Sequence, residues 1–290
     1  MTRVLIEGLL AYQSASGAFR ATVETAPGIR HPDETSMITA QVCLFLLRPG
    51  LASASAPLRH ALDAGLSFIE RCASPCEDGW FHLHPPREAA PPPDLQATAL
   101  CWLALLQASR CTPQTARAAL AGVIRSTAIT APGPDDPAWV TPGLCRSERG
   151  PAGAVDLVTN IHLAACRALT GLRLEPAAAA AITRASAGHT RAGRSLNEVS
   201  PFTPDAAEIE LALEQAVRAG QTALLPALKA ARRDGHGRQD RLARRPAERP
   251  LRCDPGGWPV WRAPPLQLAR WLYDLSYGER PAPRPLQPCL

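Results

Sequence analysis

The residues best suited to chemistry lie between His31 and Thr35, where two neighbouring carboxylates follow a histidine. Asp33 and Glu34 stand side by side, and His31 precedes Asp33 by two residues. A paired acid beside a histidine can serve as a general acid, because its hydrogen-bond partners set how readily the carboxyl group gives up its proton. We therefore take Asp33, Glu34 and His31 as candidate catalytic residues. The alternative is that Asp33, Glu34 and Thr35 only begin a helix, for which all three are ordinary residues.

Two further pairs of polar residues share one spacing at the start of apolar segments. Asp94 precedes Thr98 by four residues, and Asp156 precedes Asn160 by four. Residues four apart lie on the same side of a helix. If these helix starts face one cavity, the four side chains form a polar rim that orients a ligand above an apolar well. The alternative is that each carboxylate only caps its own helix.

The stretch from Pro91 to Ser109 indicates how such residues are positioned. A proline run is followed by Asp94 as a helix N-cap, and the next residues are almost all apolar, without a charge until Arg110. A helix that is apolar on all sides has no face for water, so it lies inside a larger helical assembly. Counted from Asp33, Asp94 and Asp156, such helices recur about every 60 residues, which indicates a repeat of helical hairpins.

Helical periodicity over the rest of the chain predicts an alternation of partly polar helices with helices that are apolar all round. In chain order the predicted helices are Thr2–Gln13, His31–Leu47, Pro57–Cys72, Asp94–Ser109, Thr112–Ser126, Ala154–Leu169, Pro176–Ala187, Pro204–Ala219, Thr222–Arg233 and about Pro265–Tyr277. Stacked helix pairs form either an open solenoid or a closed ring. Closure is favoured here, because a concave face lined by all-round apolar helices would otherwise be wetted.

Turns that combine glycine with an aromatic residue precede three of the apolar helices, at Gly17–Phe19, Gly79–Phe81 and Gly256–Trp258. The tryptophans of the last two turns, Trp80 and Trp258, join the polar rim residues as candidate substrate-binding residues.

The first turn carries a family resemblance. Gln13–Phe19 (QSASGAF) resembles the Q-x3-G-x-W/F repeat of squalene–hopene cyclases, and glycine-aromatic turns before D-x-x-x-T-A helices are similar to those of the wider superfamily that includes protein prenyltransferase β subunits. The resemblance covers most of Met1 to Gly278. It implies an all-α fold, an α/α toroid of inner and outer helices built from helical-hairpin repeats, with a central cavity at one end. We expect a single toroid domain over residues 1–279.

The resemblance also implies where a proton donor would lie. In class II terpene cyclases the middle aspartate of D-x-D-D-T-A protonates the substrate. The chain has DLQATA from Asp94 to Ala99, so Gln96 takes the donor position, and a glutamine cannot protonate an alkene.

The second predicted helix offers another match, in which Asp33 takes the donor position, Glu34 its neighbour and His31 the first aspartate. A register four residues later aligns Thr39 with the threonine of D-x-D-D-T-A and fits the apolar pattern better.

Metal-capable side chains occur at Cys72, Cys76, His82 and His84. The C-x3-C spacing is loose for zinc, and the zinc set of protein prenyltransferases, which begins with D-x-C, has no match here. We therefore predict no metal site and no cofactor, and we expect both histidines to line the turn after Trp80.

Charge and composition restrict the partners. The net charge is +5, and nine arginines and lysines stand against three acids between Lys229 and Arg252, which we interpret as a loop, a flap over the cavity or a clamp for diphosphate. Basic residues without interleaved aromatics disfavour nucleic acid as a partner.

No apolar run reaches the roughly 20 residues of a membrane span. Nine cysteines, mostly within apolar helix patterns, suggest reduced thiols in a cytoplasmic protein. We expect an irregular, proline-rich tail over residues 280–290.

Three functions fit these observations. The first is a terpene-cyclase-like toroid that binds an isoprenoid or another apolar small molecule, with or without a diphosphate, and starts a cyclisation or isomerisation with a proton from Asp33 or Glu34. The second is a non-catalytic toroid that acts as a carrier or an accessory protein. The third is a toroidal carbohydrate-active enzyme, which normally pairs carboxylates with aromatic sugar platforms. Aromatic residues are only 5% of the chain, which counts against the first and the third. No oligomeric state is predicted.

Overall fold

In the computed structural model, the described residues are 2–87, 91–147, 153–191, 195–233, 250–253 and 259–277. The helices are α1 Thr2–Ala11, α2 Ser36–Leu46, α3 Ala56–Arg71, α4 Leu95–Gln107, α5 Pro113–Thr127, α6 Leu157–Thr170, α7 Pro176–Arg191, α8 Leu196–Val199, α9 Ala206–Arg218, α10 Leu225–Arg233 and α11 Pro264–Tyr277. The strands are β1 Ala21–Ala26, β2 Ile29–Asp33, β3 Arg252–Cys253 and β4 Val260–Arg262.

Five of these helices form a closed inner ring. α11 packs against α2, α2 against α4, α4 against α6, and α6 against α9. The ring closes between α9 and α11, where both guanidinium ends of Arg270 bind the Glu208 carboxylate at 2.7 Å. Arg218 donates a further hydrogen bond across the same junction to the Tyr273 hydroxyl, at 3.2 Å.

The helices α1, α3, α5, α7 and α10 alternate with the inner helices along the chain and lie outside them. The all-α toroid predicted from the sequence is therefore confirmed. Its sequence basis is clear, because all residues of α2 and the first 11 of α4 are buried, whereas α3 and α5 are buried on one side only.

A small antiparallel sheet, which the sequence analysis did not predict, joins the two ends of the chain. The strand order is β2-β1-β4-β3, and Val23 of β1 lies opposite Trp261 of β4. The buried Glu24 carboxylate accepts hydrogen bonds from Gly28, Arg30 and Arg262, which fixes the turn and the pairing of the strands.

The sheet corrects the predicted start of α2. His31, Pro32 and Asp33 belong to the edge strand β2, and α2 begins only at Ser36. The Thr35 side chain is the N-cap, because its hydroxyl accepts a hydrogen bond from the Ile38 amide at 3.2 Å. A proline disfavours helical backbone in the residue before it, which agrees with the extended conformation of this stretch.

The repeat predicted from glycine-aromatic turns has a common contact in the structure. In the first two turns the Phe19 amide donates to Thr39 at 3.1 Å, and the Phe81 amide donates to Thr98 at 2.9 Å. Thr39 is therefore the residue equivalent to Thr98. This is the alternative register of the sequence analysis, four residues later than the one that placed Asp33 at the donor position.

A third turn makes the same contact with its helix and was not predicted, because cysteine takes the place of the aromatic residue. This turn ends at Cys145, whose amide donates to Asn160 of α6 at 2.8 Å. The glycines of all three turns have a positive φ, between 82° and 90°. At Gly17 a Cβ atom would lie 2.3 Å from the Ala64 carbonyl oxygen, so the turn packs against the outer helix only without a side chain.

Some predicted features lie outside the described residues, namely the turn Gly256–Trp258 and the tail 280–290. The basic segment is described only at its ends. Lys229 to Arg233 end α10, and Arg252 lies in β3.

Candidate functional site

The start of α2 brings two of the predicted catalytic residues, Asp33 and Glu34, into different surroundings. Because Thr35 caps the helix, neither carboxylate is needed for that role. One Asp33 oxygen lies 2.8 Å from His84 Nε2, and the other accepts a hydrogen bond from Trp261 Nε1 at 2.7 Å. His84, rather than the exposed His31, is therefore the histidine that contacts Asp33.

This pairing changes the ionisation of both partners. Burial raises the pKa of Asp33, but the hydrogen bonds from His84 and Trp261 and the charge on His84 outweigh it, so the Asp33 pKa lies below its ordinary value. The hydrogen bond that His84 donates to Asp33 raises the pKa of His84 against the opposing effect of burial. Asp33 is therefore a carboxylate at neutral pH, and it favours the protonated form of His84.

Glu34 is half-buried and lines a pocket of about 470 Å³. Its Oε2 accepts a hydrogen bond from the Ser16 hydroxyl at 2.7 Å. We call this cavity the Glu34 pocket. It lies where the first two hairpins meet, and its lining residues come from the turn after α1, the start of α2, the end of α3 and the segment before α4: Ser16, Glu34, Phe68, Arg71, His82, His84, Pro85, Arg87 and Pro91.

Cations and apolar groups share this pocket. Arg71 is held in place by the carbonyl oxygens of Ser67, at 3.0 Å, and of Ser16, with its guanidinium 5.7 Å from the centre of the Phe68 ring. Arg87 is exposed at the edge. The arrangement presents fixed positive charge next to a buried aromatic ring.

The inner histidine of the pocket has a defined tautomer. His82 Nδ1 lies 2.9 Å from the carbonyl oxygen of Pro91, which can only accept, so Nδ1 carries a proton. Nε2 of His82 is then the ring nitrogen that can accept or exchange a proton.

The predicted rim residues Asp94 and Thr98 both hold local structure. Asp94 caps α4, because its Oδ1 accepts from the Ala97 amide at 2.7 Å, and its Oδ2 accepts from Arg252 at 2.8 Å. The Thr98 hydroxyl holds the turn at Phe81. Of the candidate tryptophans, Trp80 is buried in the same turn, and Trp258 lies outside the described residues.

Asp156 and Asn160 are buried and fully engaged. Asp156 accepts hydrogen bonds from the Thr159 amide and hydroxyl, from the Ser200 hydroxyl at 2.7 Å and from the Phe202 amide at 3.3 Å. Burial raises the pKa of Asp156, and these hydrogen bonds offset part of that rise. Asn160 binds both the amide and the carbonyl of Cys145.

Arg252 connects the helix starts and was not predicted as a site residue. It is 5% exposed, and its guanidinium carbon lies 5.5 Å from the ring centres of both Phe202 and Trp261. Trp261 binds Asp33, the Phe202 amide binds Asp156, and Asp94 binds Arg252 itself. A cationic residue therefore links the three helix starts through these contacts.

Metal-type side chains do not gather in the described part of the chain, where no group of three or more His, Cys, Asp or Glu could hold an ion. Burial raises the pKa of the Cys72 thiol to about 12, and Cys76 is exposed. Among the same residues, no helix is both long and apolar enough to cross a membrane.

Comparison with known proteins finds a likeness only among solved structures. No protein-family model matches the chain, and no curated protein matches it. Among solved structures, the chain is similar to the type II terpene cyclase MstE from Scytonema in its apo form, with 12% sequence identity and a TM-score of 0.47 over 95% of this chain and 96% of that one. A likeness at this level carries no argument about the reaction, and the toroid rests on the helix packing described above.

Proposed function

We propose that the protein binds a small molecule with an anionic group and an apolar body in the Glu34 pocket, and that an isoprenoid diphosphate represents this class of ligand. The observation that carries the proposal is the union of Arg71, Arg87 and His84 with the Phe68 ring in one pocket. Its volume of about 470 Å³ falls in the range typical of small-molecule sites.

The charged side of the pocket suits a phosphate or diphosphate. Guanidinium groups bind phosphate oxygens through charge-assisted hydrogen bonds. Two carbonyl oxygens fix Arg71 in advance, which lowers the entropy lost on binding. His84 adds positive charge when protonated, a form that Asp33 favours. The apolar body of the ligand would lie against Phe68, Pro85 and Pro91.

A second candidate function is a proton-initiated isomerisation or cyclisation in the same pocket. The observation that favours it is a carboxyl group, Glu34, beside the apolar wall. In this scheme Glu34 Oε1 gives its proton to an alkene carbon, which leaves a carbocation. Loss of a proton from a neighbouring carbon restores the double bond in a new place and reprotonates Glu34, so the reaction consumes no other reagent.

Asp33 has a different role in this scheme. His84 and Trp261 engage both of its oxygens, and its lowered pKa favours the carboxylate form. Asp33 instead orients His84 at the pocket wall. If ligand binds and no product forms, the remaining function is that of a carrier.

Binding is tested by isothermal titration calorimetry with farnesyl diphosphate, geranylgeranyl diphosphate, inorganic diphosphate and farnesol. We expect the isoprenoid diphosphates to bind best, and Arg71→Met to weaken them about 10-fold, since one lost charge-assisted hydrogen-bonded pair is worth about 1.4 kcal/mol or more. The control is Arg125→Met, which removes an exposed arginine of α5. Equal binding by both variants, or no binding by any of the four compounds, would overturn the proposal.

Catalysis is tested by incubating the protein with the same isoprenoids and analysing the extract by gas chromatography and mass spectrometry. We expect Glu34→Gln to abolish product while it retains binding, and Asp33→Asn to keep partial activity. Asp135→Asn, in an exposed loop, is the matched control. Product formed at the wild-type rate by Glu34→Gln would rule out Glu34 as the acid.

A further inference from the structure

At the other end of the inner ring, Arg48 is buried between two aromatic rings. It follows the last residue of α2 by two positions, so the 11 residues of this helix, about 16 Å, separate it from the Glu34 pocket. Only 6% of Arg48 is exposed. Its guanidinium carbon lies 4.4 Å from the centre of the Phe45 ring and 4.1 Å from that of Tyr273.

The carboxylate that pairs with Arg48 is shared among three arginines, although Arg48 Nη1 donates a hydrogen bond to it. The shortest contact between Arg48 and Glu214 is 3.5 Å, and Glu214 also contacts Arg218 at 3.4 Å and Arg232 at 3.7 Å. Burial lowers the pKa of Arg48, and the charge on Glu214 offsets part of that effect. A buried cation is costly unless it is both paired and hydrogen-bonded. The hydrogen bond from Arg48 to Glu214 is long, and that carboxylate is shared with Arg218 and Arg232.

Hydrogen-bond donors near the Phe45 ring also lack acceptors. Among the described residues, neither Arg48 Nη2 nor Arg270 Nε has a hydrogen-bond partner, although both atoms are buried. The Arg270 guanidinium lies 5.7 Å from the same Phe45 ring, and its charge is matched by Glu208 at 2.7 Å. Buried donors are almost always satisfied in proteins, so two unpaired N–H groups near one ring point to an acceptor that the described residues do not supply.

We propose that this region, bounded by Arg48, Phe45, Tyr273 and Arg270, binds a small oxyanion, a phosphate or a carboxylate group. One oxygen of the anion accepts a hydrogen bond from Arg48 Nη2, and its charge compensates the guanidinium, whose carboxylate partner is shared. The side chain of Arg232 is 52% exposed, and it marks the side from which the anion enters. The site is independent of the Glu34 pocket and of the function proposed for it.

The test is calorimetric and thermal titration of the full chain with inorganic phosphate, and separately with acetate, in a chloride buffer. Because a ligand that binds only the folded state raises its stability, we expect Tm to rise by roughly 4–5 °C at a concentration of about 100 Kd. A rise with phosphate alone identifies a phosphate site, a rise with acetate alone a carboxylate site, and both together support the shared chemistry.

Variants locate the bound ion. We expect Arg48→Met to weaken binding at least about 10-fold, the effect of losing one strong pairwise contact. If Arg48→Met does not fold, Arg232→Met keeps the test open, because its side chain is half-exposed and its loss should weaken binding about 3-fold through the charge at the entrance. The control is Arg125→Met, which removes an exposed arginine of α5. Arg71→Met separately reports any phosphate that binds in the Glu34 pocket. No rise in Tm with either ion, or loss of the rise in Arg71→Met alone, overturns the proposal.

Discussion

The starts of α6 and α2 occupy equivalent places in the repeat, but the residue that caps the helix differs. In α6 the cap is Asp156, which is fully buried and accepts hydrogen bonds from four donors on three residues. In α2 the cap is Thr35, and the two carboxylates before it are engaged elsewhere. The capping position of the repeat therefore holds a structural carboxylate in α6. In α2 the same position holds Thr35, and the carboxylates of Asp33 and Glu34 are available for other contacts.

The start of α4 is intermediate between these two. Asp94 caps its helix with one oxygen and binds the buried Arg252 with the other. Its carboxylate is thus structural in both contacts. The comparison favours Glu34, which borders a pocket, over the capping aspartates as the carboxyl group with a chemical role.

The largest expected effect is that of Asp156→Ala. The substitution leaves four hydrogen-bond donors without their acceptor, three of them on Thr159 and Ser200. Each buried unsatisfied donor costs about 1–3 kcal/mol, so we expect a loss of about 3 kcal/mol or more in the free energy of unfolding. Chemical denaturation followed by circular dichroism measures it. Asp156→Asn should lose less, because its amide oxygen still accepts, and equal stability of wild type and Asp156→Ala would show that the network is not structural.

Thr35→Ala should have a smaller effect. The substitution removes the hydroxyl that accepts from the Ile38 amide, and loss of such a cap costs about 1 kcal/mol. Thr35→Ser is the matched control, since serine keeps the hydroxyl. If Asp33 or Glu34 capped α2 instead, Thr35→Ala would be as stable as Thr35→Ser in the same denaturation experiment.

The helices and their caps were within reach of the sequence, because both are local features. The apolar run after Asp94 predicted a buried helix, and the aspartate is its N-cap. The pairing of β1 with β4 joins residues more than 200 positions apart, and it consists of three residue pairs. No local sequence pattern predicts such a pairing. Because the sheet was not predicted, the sequence from His31 to Asp33 was interpreted as the start of a helix.

The contacts of the candidate site were hidden for the same reason. Asp33 and Glu34 were found because acid pairs are visible in a sequence. Their partners Ser16, His84 and Trp261 come from three separate parts of the chain, and only the closed ring brings them together. The nearest indication of these contacts in the sequence was the repeated turn. Because the turn at Gly79 is of the same kind as the turn at Gly17, His84, which follows Gly79, could have been placed at the same end of the toroid.

The smallest expected effect is the pH dependence of stability that comes from the Asp33–His84 pair. The raised pKa of His84 means that its stabilising contribution is complete below the ordinary value of 6.5 and is lost as the pH rises through the higher folded value. The lowered pKa of Asp33 means that its contribution is lost only in acid, below its ordinary value of 3.8. The His84 side chain is 45% exposed, so solvent screening limits the contribution of the pair to less than about 1 kcal/mol.

We therefore expect the difference in Tm between wild type and His84→Gln to be largest near pH 5 to 6, between the two titrations, and to shrink by pH 9. His60→Gln, which removes an exposed histidine of α3, should show no such trend. A difference for His84→Gln that stays constant from pH 5 to 9 would mean that Asp33 holds His84 through a neutral hydrogen bond and not through an ion pair.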